Sequence, residues 1–360
     1  MRNARPRAGL TRVSIAGLAF LNLSAPADSR GESTPRPVVF RTQTMGTWGS
    51  LTVVTADSAS VADLAYRSLL AFHRVDSLMS NWTETSEVAR INREAGTKEI
   101  SVHPEVATVL DLAQRVSKQS DGAFDITVEP LVRLWGFLGG HPRVPSADEI
   151  AATLKRVGWK KMRFDPARGT VHFEQDGVRI DLGGIAKGYG VDAAAQVLQR
   201  AGIANALVDL SGNMVALGDA AGHRGWTVGL RDPSGVHPYL ARIHLYNQAI
   251  ATAGNYEQFV AADGKRYGHI LDPHTGWSAQ GLASVTIVTS GAMMADAWDD
   301  ALFVLGSEAA RALARARDDL AVVLIEPRSD GPGIIWVEEQ LRSRVEIEPG
   351  LTDTYTVRYF

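Results

Sequence analysis

Three aspartates share one face of an otherwise apolar stretch. From Ser290 to Gly306 the chain reads Ser-Gly-Ala-Met-Met-Ala-Asp-Ala-Trp-Asp-Asp-Ala-Leu-Phe-Val-Leu-Gly. A serine able to cap a helix opens it, and a glycine able to end one closes it. Asp296, Asp299 and Asp300 fall at i, i+3 and i+4, where neighbouring Cβ atoms lie about 5–6 Å apart. Met293, Phe303 and Val304 flank them, and the stretch holds no lysine. Like charges placed this way must protonate or find a cation when they are buried. An all-oxygen ligand set suits a hard divalent ion such as Mg2+. A solvated acidic stripe is the alternative, but Asp296 lies past the first turn, where the helix dipole no longer favours an acid.

The chain around this helix is globular. It has 360 residues, 45% hydrophobic and 21% charged, enough for a substantial core. A net charge of −3 supplies no basic field, so nucleic acid is not the expected partner. The absence of cysteine excludes disulfides, thiol nucleophiles, iron–sulfur ligation and zinc ribbons. Arg2, Arg5, Arg7 and Arg12 precede an apolar run from Val13 to Leu23, and small residues follow at Ala25 and Ala27. That order is expected of a secretory signal peptide over 1–27, and the run is too short to span a bilayer. With no cysteine to carry a lipid and no other apolar stretch of spanning length, the expectation is a soluble, exported, periplasmic or extracytoplasmic protein without a transmembrane anchor.

A linker is expected over 28–37, followed by one unit over 38–360 or two closely joined lobes. Val38 to Thr55 reads as a strand or hairpin; Ala59 to Met79 and Pro104 to Ser120 read as helices. Strands are expected at Arg163–Phe164, Val171–Glu174 and Val178–Leu182, then a helix from Ile185 to Arg200. Further strands are expected within Leu207–Leu217, Trp226–Leu230, Arg242–Leu245 and Ala249–Thr252. Tyr256 to Ile270 reads as a hairpin turning at Asp263-Gly264. A strand at Ser284–Val288 feeds the aspartate helix, and a short helix at Ser307–Arg317 precedes a strand at Ala321–Ile325. The fold class expected is α+β, with mixed, mainly antiparallel sheets and packed helices, since the regular βαβ rhythm is missing.

Two more segments carry chemistry. Asp181-Leu-Gly-Gly-Ile-Ala-Lys187-Gly188 places an acid, a glycine pair and a first-turn lysine at a strand-to-helix junction. Glycines let backbone approach a ligand, and helix N-terminal amides with a lysine favour phosphate. It matches neither a Walker A loop nor a Rossmann fingerprint, and a tight connection with a surface Lys187 is the plainer reading. His269-Ile-Leu-Asp272-Pro273-His274-Thr275-Gly276 ends a strand in a turn, so His269 faces whatever the turn borders. A histidine there can act as a general base, although a lone histidine is more often structural.

Taken together, these residues resemble the ApbE-type FAD:protein FMN transferases. The resemblance runs from about Phe40 to Leu324 as ordered motifs: Met45-Gly46-Thr47, Ser80-Asn81-Trp82, Asp121-Gly122-Ala123-Phe124-Asp125 and Leu134-Trp135-Gly136-Phe137. It continues through Asp181 to Gly188, Ala251-Thr252-Ala253-Gly254-Asn255-Tyr256-Glu257, His269 to Gly276 and the aspartate helix. Each motif is weak alone, and their shared order is specific. The resemblance implies an ApbE-like fold and Mg2+-dependent transfer of FMN from FAD to a Ser or Thr hydroxyl of an acceptor flavoprotein, releasing AMP. It implies FAD contacts at Met45, Trp82, Ala123, Phe124, Asp125, Asp181, Lys187, His269 and Ile270. For the metal it implies the Gly184 backbone oxygen, Asp296 and Asp299, with Asp300 where the family commonly has threonine. The usual Gly-Gly pair also becomes Ser211-Gly212. His269 is the candidate for positioning or deprotonating the acceptor hydroxyl, with Asp181 as the alternative base. Two rivals predict different products: a Mg2+-dependent FAD pyrophosphatase uses water as acceptor, and a periplasmic flavin-binding protein turns nothing over.

Overall fold

The computed structural model describes residues 34–360, together with the backbone of Leu18–Phe20. The leader expected over 1–27 otherwise lies outside the described residues, as does most of the linker. The strands are β1 (Leu18–Phe20), β2 (Arg36–Thr44), β3 (Thr47–Thr55), β4 (Ile100–Ser101), β5 (Met162–Asp165) and β6 (Thr170–Phe173). There follow β7 (Ala206–Leu210), β8 (Asn213–Leu217), β9 (Trp226–Arg231), β10 (Tyr239–Leu245), β11 (Gln248–Gly254) and β12 (Phe259–Ala262). The last are β13 (Lys265–Gly268), β14 (Ser284–Thr289), β15 (Ala321–Glu326), β16 (Gly333–Val337), β17 (Val345–Ile347) and β18 (Tyr355–Tyr359). The helices are α1 (Ser58–Met79), α2 (Glu87–Glu94), α3 (Pro104–Gln119), α4 (Glu129–Leu134), α5 (Ala147–Leu154), α6 (Ala186–Arg200) and α7 (Ala292–Arg315). None of the described helices is long and apolar enough to cross a membrane.

A nine-stranded sheet in the order β18-β16-β15-β14-β11-β8-β7-β3-β2 forms the frame, antiparallel except for the parallel pair β16–β18. The expected α+β class with mainly antiparallel sheets is what this topology is. Period-two alternation gives the sheet two apolar faces. On one, Val208, Leu210, Val215 and Leu217 meet Ala65, Leu69 and Phe72 of α1 and Val191 and Ala194 of α6. On the other, Leu207, Met214 and Ala216 meet Val228, Leu230 and Ile243 of the smaller sheet β1-β9-β10-β17. The aspartate helix lies in the larger core with Trp298, Leu302 and Phe303 fully buried.

Three local expectations change. Val178–Leu182 is extended but pairs with no strand. Side-chain amides replace the ladder there: Asn81 and Asn92 donate to the Ile180 carbonyl at 3.0 and 2.9 Å, and the Ile180 amide donates to Asn92 at 2.7 Å. Leu207–Leu217 is a hairpin, with Ser211 and Gly212 both at positive φ (56° and 90°) in its turn. Ser290 does not cap the aspartate helix. The Asp192 carboxylate of α6 does so, accepting from the Ala292 and Met293 amides at 2.7 and 2.9 Å. At the other end the helical course breaks at Gly306 (φ 77°, ψ 170°), as a terminating glycine should make it.

Candidate active site

A cavity of about 380 Å3 opens where the β2–β3 turn, the loop before α6, the residues flanking the β12–β13 hairpin and α7 converge. Every residue singled out from the sequence lines it: Met45, Trp82, Ala123, Phe124, Asp125, Asp181, Gly184, Lys187, His269, Ile270, Asp296, Asp299 and Asp300. Trp82 stands at the rim, 73% exposed, while Ala123, Phe124 and Ile270 are buried in the wall.

The packing of α6 on α7 explains the floor. Gly188 has no side chain because a Cβ there would strike the Ala292 carbonyl and the Met293 backbone. That closeness lets the Gly188 amide donate to Asp296 Oδ2 at 2.9 Å. The amide is thereby diverted from the Gly184 carbonyl, its ordinary i−4 acceptor, and that carbonyl has no hydrogen-bond partner among the described residues. Lys187 Nζ reaches Asp296 Oδ1 at 3.3 Å and the Gly183 carbonyl at 3.1 Å. Burial alone would depress the lysine pKa, but Asp296, Asp300, Asp299 and Glu257 hold it above its usual value. Lys187 is no plain surface lysine.

The other two aspartates carry the unbalanced charge. Burial first, then Asp300 and Asp296, push the Asp299 carboxyl well above its ordinary value. Burial and Asp296 raise Asp300 to about 7, against the pull of Lys187. Asp300 lies directly over Gly184, where a Cβ would strike its Oδ2. Without a counterion, three acids around one lysine cannot all ionise cheaply.

Asp181 follows Ile180, whose backbone Asn81 and Asn92 clamp. Its Oδ1 accepts from the Gly183 amide at 2.7 Å, fixing the glycine turn. Burial nevertheless raises its pKa, opposed by Gly183, Asn81, Lys187 and Arg133. Asp125 is also raised, to about 6, by burial; its Oδ1 is engaged by the amide and hydroxyl of Thr127, both at 2.7 Å. His269 leaves β13 with its amide bonded to the Gln258 carbonyl and its ring edge-on to Phe137. Its Nδ1 is buried without a hydrogen-bond partner. Burial, helped by the Lys187 charge, lowers its pKa to about 4, so the imidazole is neutral near pH 7.

Three contributors escaped the sequence reading as site residues. Glu257 lines the cavity as a fourth acid facing Lys187, its pKa raised by burial. Asn92 and Asp192 act behind the wall, one clamping the Asp181 segment and the other anchoring the aspartate helix. Asp192 stands a hundred residues from the amides it caps, so no local pattern exposes it.

The donors fit a magnesium-type cation. They are all oxygen: Asp299, Asp300, the free Gly184 carbonyl and Asp296, which Lys187 and Gly188 already share. No group of three or more His, Asp or Glu side chains among the described residues forms a ready cage. Mg2+ commonly takes only one or two carboxylates and completes its shell with water and substrate phosphate.

Comparison with known proteins identifies the family. The model of the ApbE family matches residues 45–324. A FAD:protein FMN transferase of Klebsiella pneumoniae is 32% identical over 307 residues, covering 84% of this chain and 87% of its own length. A Salmonella typhimurium protein of the same name is 31% identical, covering 91% of this chain and 95% of its own length. The flavin transferase ApbE of Vibrio cholerae superposes with a TM-score of 0.78 at 30% identity, covering 86% of this chain and 99% of the other.

Proposed function

The chain belongs to the ApbE family, and from that premise we propose that its cavity transfers FMN from FAD to a Ser or Thr hydroxyl of an acceptor flavoprotein, releasing AMP. The observation that carries the reading is the meeting of a glycine loop, Lys187 and a cluster of acids, Asp181, Glu257, Asp296, Asp299 and Asp300 among them, in one cavity. A carrier has no use for that concentration of charge, whereas cleaving a pyrophosphate does.

The isoalloxazine and adenine ends of FAD lie against Met45, Trp82, Phe124 and Ile270, with Ala123 and Asp125 shaping the wall. Lys187 and the Gly183 and Gly184 backbone face the pyrophosphate. A Mg2+ ion held by Asp296, Asp299, Asp300 and the Gly184 carbonyl supplies charge neutralisation for the pyrophosphate and the departing AMP. The acceptor oxygen attacks the phosphorus on the flavin side; the bond from that phosphorus to the bridging oxygen breaks, and AMP leaves with that oxygen. His269, whose ring lines the cavity, accepts the proton of the incoming hydroxyl. Bound pyrophosphate adds negative charge near the ring and so raises its basicity from the free-protein value. Asp181 is the alternative base, although its Oδ1 already holds Gly183.

The acceptor is a protein with an exposed Ser or Thr, of the kind found in membrane-linked redox subunits, and the chain works outside the cytoplasm after its leader is removed. The test incubates the protein with FAD, Mg2+ and the Ser/Thr-bearing extracytoplasmic domain of such a subunit. Intact-mass spectrometry is expected to show one FMN added, and none without metal. FMN and AMP released free, with the domain unmodified, would establish a pyrophosphatase instead.

A further inference from the structure

Among the described residues the large sheet ends in an open edge beside the cavity: β2 is its outermost strand there and pairs with β3 alone. Thr44 and Thr47 close the hairpin around Met45 and Gly46, whose φ values of 49° and 70° make a primed two-residue turn. The closing pair of such a hairpin exchanges both backbone bonds, and bonded pairs alternate away from it. Thr42, Phe40 and Val38 therefore direct their amides to β3, while Gln43, Arg41 and Val39 direct theirs outward. Among the described residues, no hydrogen bond reaches these outward groups. Pro37 lies on the same outward row, the position where a missing N–H removes no ladder bond.

An unpaired row of this kind is a template for another strand. The strand ends at Thr44 and turns through Met45 to Thr47, and both of the latter line the cavity. Arg36 and Arg41 are exposed along it and have no carboxylate partner among the described residues. We propose that the outer edge of β2 docks the acceptor: an extended, acidic, Ser/Thr-bearing segment pairs with Val39, Arg41 and Gln43 as an added strand and carries its hydroxyl past Met45 into the cavity. This inference rests on the transferase reading above. Backbone pairing supplies affinity with little sequence demand, and the arginines select acidic flanks.

The test uses the acceptor domain of the mass-spectrometric assay. If the wild-type protein labels no such domain, the transferase reading fails and the docking role with it. Given labelling, Arg41→Pro removes one outward amide and leaves the β3 ladder intact. It is expected to raise the acceptor KM about tenfold with FAD affinity unchanged, whereas Arg41→Ala, which keeps the amide, raises it only about twofold. Equal acceptor KM values for Arg41→Pro and wild type overturn the proposal. Hydrogen exchange on the wild-type protein decides the matter independently of any variant. Acceptor binding should slow the Val39, Arg41 and Gln43 amides. No slowing, or amides already protected in the free protein by the chain's own leading residues, overturns it.

Discussion

Lys187 Nζ sits 3.3 Å from Asp296 Oδ1, tying the first turn of α6 to the aspartate face of α7. Replacing the lysine by methionine leaves a buried aspartate with only the Gly188 amide as donor. We predict a loss of about 2–3 kcal/mol in stability, near the lower end for breaking a buried pair because the lysine is partly exposed. FAD affinity should fall more than tenfold in the same variant, since the cavity loses the only lysine among its described lining residues. Chemical denaturation and flavin fluorescence titration measure the two effects separately.

Asp192 anchors the N-terminus of α7 through two amides. Asp192→Ala should cost about 1–2 kcal/mol, the range of a lost helix cap. Because the cap fixes the helix that carries Asp296, Asp299 and Asp300, the Mg2+ concentration for half-maximal transfer should rise as well. A stability loss with an unchanged metal requirement would mean that the cap supports only the fold.

His269 is held neutral. Its folded pKa is about 4, against about 6.5 for an exposed imidazole. Between those values the unfolded chain binds more protons than the folded one, so this group lowers stability as pH falls from about 6.5 towards 4. An NMR titration of the free protein should find the imidazole midpoint near 4. His269→Asn should keep FAD binding and lose transfer by about two orders of magnitude, the scale of a general-base contribution. Near-normal transfer would remove the histidine from the chemistry.

Asp300 faces Gly184, its Oδ2 lying where a Cβ on that glycine would sit. We predict that Asp300→Thr retains transfer but needs roughly tenfold more Mg2+, because a neutral oxygen replaces a carboxylate. Titrating the rate against Mg2+ tests this. An unchanged requirement places Asp300 outside the coordination shell.

The aspartate helix was legible because its spacing conflicts with its apolar neighbours, and α1, α3, α6 and the strands from β5 to β15 were legible from their patterning, whereas α2, α4 and α5 went unread. The Val178–Leu182 segment was misread as a strand because apolar alternation reports burial, and here Asn81 and Asn92 satisfy the backbone instead of a neighbouring strand. Ser290 looked like a cap on local pattern, yet a carboxylate from another helix outcompeted it.

By itself, the sequence determined the ingredients: the acids, the glycine turn, the lysine, the histidine and the order of elements, all set by side-chain chemistry and local spacing. Only the tertiary structure decided their roles. The close approach of α6 and α7 at Gly188 turned one amide towards Asp296 and freed the Gly184 carbonyl. Burial then separated the acids by environment, leaving Asp296 paired with Lys187 while Asp299 and Asp300 face a shortage of positive charge. Charge balance depends on distances between segments over a hundred residues apart, and those exist only once the chain is folded.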